Sequence, residues 1–458
     1  MPPLNRTYIL IVCAATQVAA LGFAQQKRAP LPPLTADRAA LIAVRVSPSV
    51  HFARASKEQA DQAVDLNAAL FAPDLDLTAS YTRLSPITYP PFNIGNQTIQ
   101  SPFPVILNNY LLRATVTLPV TDYFFKILPT YKAVDRNSDV AQYQTQTESE
   151  RVALRAREAF YNYVRAEASI KVAKDSVIQL EAYVNDLNAL FDAGNVTRAD
   201  SMQAQAQLSD AKAQLALAEG NVNVTKDALR RLLDLGPSET VTIGEDVFAV
   251  TAETPGTKQD ILRRALKERP ELKGLRALAK VRDSSMQAEN ARRLPNLSVV
   301  GNLDYANPNS RYIPLTQEFR ATWDISAVLR WSPNDFVLGK VNVEQAELEL
   351  KRARSDLKQL EDSIVVEASQ ASSDYIAAER TIQAAKDGVK AAAEAWRVRR
   401  DLFRAGEATA SEVLESEIVL RRAQLLHIDA HIALKLAKAR IQHVIGTSTP
   451  TSPNKRTS

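Results

Sequence analysis

The sequence predicts a mixed, mainly α-helical protein in which a long helical hairpin and a pair of β-strands occur twice in tandem. Two segments, residues 130–236 and 334–449, contain no proline, although the chain has 23 prolines in all. Short motifs recur at a constant spacing, and four segments alternate apolar and polar side chains. The low glycine content, 13 in 458 residues, also favours long helices.

The first residues have the organisation of a secretory signal peptide. Arg6 precedes a mainly apolar stretch, residues 9–21, which is followed by the small residues Gly22 and Ala24. This stretch is shorter than the ~20 residues of a membrane-spanning helix, so residues 1–24 are predicted as a signal peptide rather than an anchor. The only cysteine, Cys13, lies within it, and the mature chain is therefore expected to have no disulfide.

Both proline-free segments are predicted to form long helices. At 1.5 Å per residue, helices over residues 131–190 and 334–404 would be about 90 and 105 Å long, several times the diameter of a compact domain. Apolar side chains recur at the spacing of a coiled-coil seam in the second of them. These are Leu350, Ala353, Leu357, Leu360, Ile364 and Ala371.

Each long segment is broken once, at residues 191–200 and 403–412, and both breaks are predicted as helical hairpin tips. Each contains a glycine suited to the left-handed position after a helix, and a threonine that can cap the next helix. An acidic residue three positions after the threonine completes a capping box. The residues are Gly194, Thr197 and Asp200 in the first break, and Gly406, Thr409 and Glu412 in the second.

The recurring motifs indicate an internal duplication. The tips are 212 residues apart, as are the strings AKDSV at 173–177 and AKDGV at 385–389. Upstream, Pro48/Pro270 and Pro73/Pro295 are 222 apart, so the first repeat has ten extra residues, which are expected in a loop. The predicted organisation is a first repeat at 25–236, a linker at 237–257, a second repeat at 258–446 and a disordered tail at 447–458.

Four alternating segments are predicted as transmembrane strands. They cover about residues 74–82 and 110–120 in the first repeat, and about 297–305 and 320–331 in the second. Their length suits a tilted membrane-spanning strand, and Tyr81, Tyr305, Trp323 and Trp331 near their ends suit the membrane interfaces. The alternative is a pair of soluble amphipathic hairpins.

Four strands in lipid would leave two unpaired edges and could not close a barrel, so association of chains is predicted. Two chains would give eight strands, which side chains fill, whereas three would give twelve strands with room for an aqueous lumen. The prediction is therefore a homotrimer in contact with membrane lipid.

The signal peptide, the duplicated order of elements and the F-x-A-G-x-x-T tips together resemble the TolC family over about residues 35–446. The resemblance implies a trimeric 12-stranded β-barrel in the bacterial outer membrane and a long periplasmic α-helical barrel. It also implies a passive exit duct that serves an inner-membrane pump through a periplasmic adaptor, in efflux or type I secretion. The linker at 237–257 would lie in the family's equatorial belt.

The resemblance assigns two sets of site residues. The tips would dock the adaptor; their residues are Gly194, Asn195, Val196, Thr197, Gly406, Glu407, Ala408 and Thr409. The string ASEVLE resembles the family's V-D-V-L-D, so Glu412 and Glu415 would form an acidic entrance gate. In the first repeat Asp200 keeps the first acid, but Gln203 replaces the second. The alternative for Asp200 and Glu412 is helix capping alone.

No catalytic, cofactor-binding or metal-binding motif is found. His427 and His431 are four residues apart, but no HExxH motif accompanies them, and they are predicted as helix-surface histidines. The balance of 56 basic and 52 acidic residues does not indicate nucleic-acid binding. The competing class is a pore-less periplasmic coiled-coil structural or adaptor protein, which would explain the helices but not the strands.

Overall fold

The structure is a computed structural model that describes residues 32–87, 92–94, 97–99, 105–236, 239, 241–249 and 255–449. The predicted signal peptide, residues 1–24, and residues 450–458 of the predicted tail lie outside the described residues. So do parts of the linker and of the loop between the first two predicted strands.

Among the described residues, each repeat contains a short helix, a 22-residue helix and a long helical hairpin, and the first repeat has in addition a three-residue helix and a π-helical turn. The first repeat contains α1 (Ala36–Val46), α2 (Pro48–Ala69), α3 (Val120–Asp122), a π-helical turn (Tyr123–Ile127), α4 (Leu128–Asp192) and α5 (Arg198–Leu232). The second contains α6 (Lys258–Glu268), α7 (Pro270–Ala291), α8 (Pro333–Arg404) and α9 (Ala410–Ile445). Helices α1 and α6 both have 11 residues, and α2 and α7 both have 22. A proline begins α2 and α7, at the position where its missing N–H costs no hydrogen bond.

Helices α4 and α8, with 65 and 72 residues, are the rods predicted from the proline-free segments. At 1.5 Å per residue each is about 100 Å long. The predicted seam of α8 is confirmed, since Ile364, Ala368 and Ala371 are buried in one cluster with Ile441 and Val444 of α9. Within the described ranges, no helix combines the length and the apolar character needed to span a membrane.

The largest core cluster lies where the linker crosses the long helices. The linker pairs with the segment before α1, because Leu34 N–H donates to Thr242 O and Gly244 N–H donates to Leu34 O, both at 2.8 Å. The Glu245 carboxylate accepts hydrogen bonds from Tyr161 OH of α4 and from Lys435 Nζ of α9, each at 3.2 Å. The linker thereby ties α4 to α9 at the middle of the rod.

Part of the predicted disordered tail is ordered. Ser448 is fully buried, and the backbone N–H groups of Ser448 and Thr449 donate to the Glu150 carboxylate of α4. These residues are ordered because the buried Glu150 carboxylate needs hydrogen-bond donors, and the backbone after Gly446 supplies them. Gly446 itself adopts the left-handed conformation, with φ 83°, that turns the chain towards α4.

The four predicted strands are present and form one antiparallel sheet, in which they follow one another in their chain order. Their bounds are β1 (Asp74–Arg83), β4 (Asn108–Leu118), β5 (Asn296–Asn307) and β6 (Arg320–Arg330). Two three-residue strands, β2 (Phe92–Ile94) and β3 (Gln97–Ile99), pair within the loop between the first two predicted strands.

The register places side chains of like polarity in rows across the sheet. One row contains Leu77, Ala114, Leu303 and Trp323. Leu77 is 74% exposed and Trp323 is 69% exposed, so the apolar face has no protein cover in the single chain. The next row, on the opposite face, pairs Arg113 with Asp304 through two hydrogen bonds of 2.6 and 2.8 Å. The sheet therefore has one face suited to lipid and one suited to water.

Neighbouring leucines of β4 offer a matched test of the two faces. We expect Leu112→Arg, on the apolar face near the strand centre, to destabilise the membrane-inserted protein by about 2 to 4 kcal/mol, because it places a charge in lipid. Leu111→Arg, on the polar face, should cost less. Chemical denaturation in lipid vesicles measures both, and equal losses would contradict the assignment of faces.

Candidate functional site

The two hairpin tips have the same backbone geometry. Gly194 and Gly406 have φ values of 81° and 79°, in the left-handed region that favours glycine. In each tip the next residue closes the preceding helix, since Asn195 N–H donates to Leu190 O and Glu407 N–H donates to Leu402 O, both at 2.9 Å. These are the helix ends that the sequence motifs predict.

A capping box begins the second helix of each hairpin. The Thr197 N–H donates to Asp200 Oδ2 at 3.0 Å, and the Asp200 N–H donates to Thr197 Oγ1 at 3.2 Å. The corresponding distances between Thr409 and Glu412 are 2.9 and 3.4 Å. Asp200 and Glu412 are therefore engaged in capping, as the alternative interpretation of the sequence expected.

The tips lie side by side and share a groove of about 810 Å³. Six of the eight predicted docking residues line it, and they are Asn195, Val196, Thr197, Gly406, Ala408 and Thr409. Gly194 and Glu407 are exposed outside this lining. The fold thus combines two segments that are more than 200 residues apart into one surface.

Contacts between α4 and the second hairpin hold the tips together. The Arg404 guanidinium donates from Nη2 to Asp186 Oδ2 at 3.0 Å, in an exposed ion pair. Tyr183 OH donates to Ala410 O at 3.1 Å, and its ring meets Phe403 edge-on at 5.6 Å. Burial raises the pKa of the Tyr183 hydroxyl, which keeps it protonated as a donor. An exposed ion pair contributes at most about 1 kcal/mol, so most of the connection comes from the buried cluster in which Phe403 and Leu414 of the second hairpin belong with Leu180 of α4.

The acidic gate residues differ in their surroundings. Glu412 forms an ion pair with Arg399 at 3.1 Å, and the Thr409 N–H, with a smaller contribution from the Arg399 charge, holds the pKa of Glu412 below its ordinary value. Glu415 is exposed and has no hydrogen bond or ion pair with the described residues. Gln203, which replaces the second acid in the first repeat, accepts a hydrogen bond from Ser411 at 3.2 Å. Of the predicted gate acids, only Glu415 has a carboxylate without a hydrogen bond or ion pair to the described residues.

A family model described as outer membrane efflux protein matches residues 43–234 and 261–447, most of the chain. The chain belongs to the outer membrane efflux protein family. Outer membrane protein TolC of Vibrio cholerae is 21% identical over 398 residues, which are 86% of this chain and 86% of that protein. The resemblance proposed from the sequence is confirmed.

Solved structures with the same fold include two outer-membrane channels and one outer membrane protein. The outer-membrane channel OprN matches with a TM-score of 0.77 at 18% identity, over 91% of each chain. The CmeC channel of Campylobacter jejuni matches with a TM-score of 0.76 at 16% identity, over 92% of this chain and 89% of that one. VceC of Vibrio cholerae also gives 0.76 at 16% identity, over 91% of this chain and 97% of that one.

Family membership locates this efflux protein in the outer membrane, with its helices forming the periplasmic part, and its relatives are channels rather than enzymes.

The histidine pair differs from the sequence prediction. His431 is buried rather than at the helix surface, because the ring of Phe248 from the linker packs on His427 at 5.6 Å and on His431 at 5.2 Å. Burial lowers the pKa of His431, which favours the neutral form of this side chain beneath Phe248.

No sequence pattern pointed to four residues that form contacts near the tips, Tyr183, Asp186, Arg399 and Arg404. Asp186 and Arg404 are 218 residues apart, close to the 212-residue offset of the tips. The 212-residue offset could have predicted a contact at this level, because near-equivalent positions of two repeats that pack together lie at the same level along the rod. The identity of the pair could not be found in this way, since the offset gives the level along the rod and not the rotation of the helices.

The cap at Glu412 gives a prediction for pH dependence. Because the folded pKa of Glu412 is lowered, its ionised form stabilises the tip above the ordinary value of 4.5, and this contribution is lost as the pH falls through the lowered value. We expect Glu412→Gln to speed hydrogen exchange of the amides at 410–413 at about pH 7, with a difference that shrinks towards about pH 3. Glu407→Gln, which removes an exposed charge outside the cap, is the control. A difference that does not change with pH would contradict the role of the charge.

Proposed function

We propose that this outer-membrane efflux protein is the exit duct of a tripartite efflux or type I secretion system. Substrate would pass from an inner-membrane pump, joined through a periplasmic adaptor, along the tunnel to the exterior. The observation that carries the proposal is the direct connection of a two-faced sheet to helical hairpins about 100 Å long. A pore-less coiled coil, the competing class, has no use for such a sheet.

The sheet supports a homotrimer as the working unit. Strands β1 and β6 lie at its two edges, with 10 and 11 residues each. Unpaired N–H and C=O groups along these strands would cost several kcal/mol each in lipid. Three copies would pair every edge in a 12-stranded barrel that is wide enough for an aqueous lumen, with the Arg113–Asp304 face inside.

The contacts at the tips support a gate in the second hairpin. Hairpin α8/α9 is joined to α4 near its tip by the exposed Arg404–Asp186 pair and by the aromatic contact between Tyr183 and Phe403. Opening would have to break these contacts and the buried cluster that joins the hairpins near the tips, while the linker holds the middle of the rod through Glu245. Opening would separate the tips and leave the rest of the wall intact.

Glu415 is the residue that we assign to the acidic entrance, with Glu412 and Asp200 adding charge from their caps. In a trimer, three exposed Glu415 carboxylates around the axis would attract cations and repel one another.

We therefore expect Glu415→Gln to reduce cation selectivity and divalent-cation block in planar bilayers, and to raise the resting conductance. Glu219→Gln, an exposed acid on α5 away from the tips, should leave these properties unchanged. Unchanged selectivity and block in Glu415→Gln would remove Glu415 from the gate without affecting the assignment as a duct.

The shared groove at the tips is the surface that we assign to the adaptor. An added Cβ at Gly406 would meet no atom within 4 Å, so the space beside it is open to a partner.

Gly406→Trp should abolish transport in cells while native mass spectrometry still gives three protomers. Gly406→Ala is the matched control, because it introduces the same backbone strain at φ 79° without the bulk. We expect it to retain most transport. Equal loss of transport in both variants would show that Gly406 acts only through the helix end.

A further inference from the structure

The two edge strands of the sheet have matching lengths and matching patterns of polarity. Strand β1 has 10 residues, all with exposed side chains, and β6 has 11. Apolar and polar side chains alternate along most of both strands, and the register places Asp74 and Arg330 on the polar face, which carries the Arg113–Asp304 pair. Within one chain the two strands are three strand spacings apart, about 14 Å, and therefore cannot pair with each other.

A charged residue lies at the helix-proximal end of each edge strand. Asp74 begins β1 just after α2, and Arg330 ends β6 just before α8. Both side chains are exposed, and neither has a hydrogen bond or ion pair with the described residues. Asp76, the next acid on the same face of β1, instead accepts a hydrogen bond from Thr78 Oγ1 at 2.8 Å. Asp74 and Arg330 are thus opposite charges, one on each edge, that find no partner within the described chain.

We propose that β1 of one copy pairs with β6 of the next copy in the antiparallel register that sets Asp74 opposite Arg330. The proposal rests on the homotrimer of the proposed function and specifies how its copies meet. In this register each residue of β1, from Asp74 to Arg83, lies opposite a residue of β6, from Arg330 back to Ala321. Backbone pairing then extends along the whole of β1, as lipid requires.

This pairing keeps both faces of the sheet continuous from one copy to the next. A shift by one residue would move the apolar side chains of one strand to the polar face of the other, so only shifts of two residues preserve the faces. On the apolar face, Leu75 lies opposite Leu329, and Tyr81 lies opposite Trp323. Cross-strand aromatic pairs and pairs of opposite charge both stabilise neighbouring strands, and this register supplies one of each.

The same register gives the barrel an ordinary strand tilt. Within one copy, Trp323 lies in the row of Leu77, and across the proposed boundary it lies opposite Tyr81 of the next copy. Each copy therefore advances the row by four residues, and three copies advance it by 12, which is the shear number of the barrel. With about 3.4 Å per residue along a strand and about 4.8 Å between strands, this climb over 12 strand spacings gives a tilt of about 35°.

The neighbouring registers fit less well. A register two residues further sets Asp76 opposite Arg330, leaves Asp74 and Leu75 opposite residues beyond the end of β6, and gives a tilt of about 47°. A shift of two residues in the other direction carries Arg330 beyond the start of β1 and gives a tilt of about 20°. Barrels of this kind have tilts of about 35 to 45°.

Cysteine cross-linking tests the register, since the only cysteine of the chain, Cys13, lies in the predicted signal peptide. We expect Thr78→Cys combined with Ser326→Cys to give covalently linked dimers and trimers on oxidation, seen in a non-reducing denaturing gel. Ala79→Cys with Ile325→Cys is a second matched pair, because successive opposed positions alternate between closer and wider spacing. A disulfide within one chain is excluded, because it would have to span about 14 Å.

Mismatched cysteine pairs distinguish the neighbouring registers. Thr78→Cys with Asp324→Cys, or with Val328→Cys, should give at least about threefold less product, because diagonal neighbours are about 7 to 8 Å apart. More product from a mismatched pair than from Thr78→Cys with Ser326→Cys would overturn the register. So would the absence of product from every pair in a protein that native mass spectrometry shows to be a trimer. A wild type that is monomeric in native mass spectrometry would instead count against the homotrimer of the proposed function.

Charge reversal tests the contact between Asp74 and Arg330. We expect Asp74→Arg and Arg330→Asp each to lower the fraction of trimer that survives heating in detergent, because each sets like charges opposite one another. The two changes combined restore an opposite pair, and the trimer fraction should return towards the wild-type value. Asp76→Arg combined with Arg330→Asp is the matched control and should not be rescued. Rescue in this control instead, or in neither combination, would overturn the contact.

Discussion

Backbone hydrogen bonding at the edges of the sheet is the constraint on which the other features of this protein depend. Strands β1 and β6 each have an unpaired edge in the single chain, and lipid offers no partner for their N–H and C=O groups. In the proposed trimer, closure by other copies would satisfy those groups and would at the same time fix the number of helical hairpins that surround the lumen below. The two-faced register, with Leu303 beside Trp323 and Arg113 beside Asp304, is useful only in such a closed assembly.

The two hairpins have the same arrangement because of the duplication, but they differ in a few contacts near their tips. Phe403 of the second tip is buried against Tyr183, whereas its counterpart Phe191 is 41% exposed. The second tip is therefore held by contacts that helix α4 of the first hairpin provides. The second repeat also keeps Glu415, where the first repeat has Gln203 in a hydrogen bond with Ser411.

Buried charge marks the places where helix α4 meets other parts of the chain. At the middle of the rod, Glu150 accepts from the backbone after α9, and Arg157 donates to Asp37 at 2.9 and 3.1 Å. Nearer the tip, Glu417 is left with a free oxygen beside a cavity. The Glu150 contact is completed within the chain, whereas Arg157 keeps a buried Nη1 without a hydrogen bond to the described residues. The Glu417 contact is also incomplete, and it lies where the two hairpins meet.

The sequence by itself determined the helices, the hairpin tips and the two faces of the sheet, because these follow from local patterns. Proline-free segments, the Gly194 and Gly406 turns, the Thr197 and Thr409 caps and the period-two alternation each act within a few residues of the chain. The relative rotation of the helices was decided only by the tertiary structure. The burial of His431 beneath Phe248, the pairing of Arg404 with Asp186 and the unpaired oxygen of Glu417 depend on which faces of distant helices meet. Helical periodicity shows that a face is apolar but does not identify its partner, so packing between segments about 200 residues apart had to supply that information.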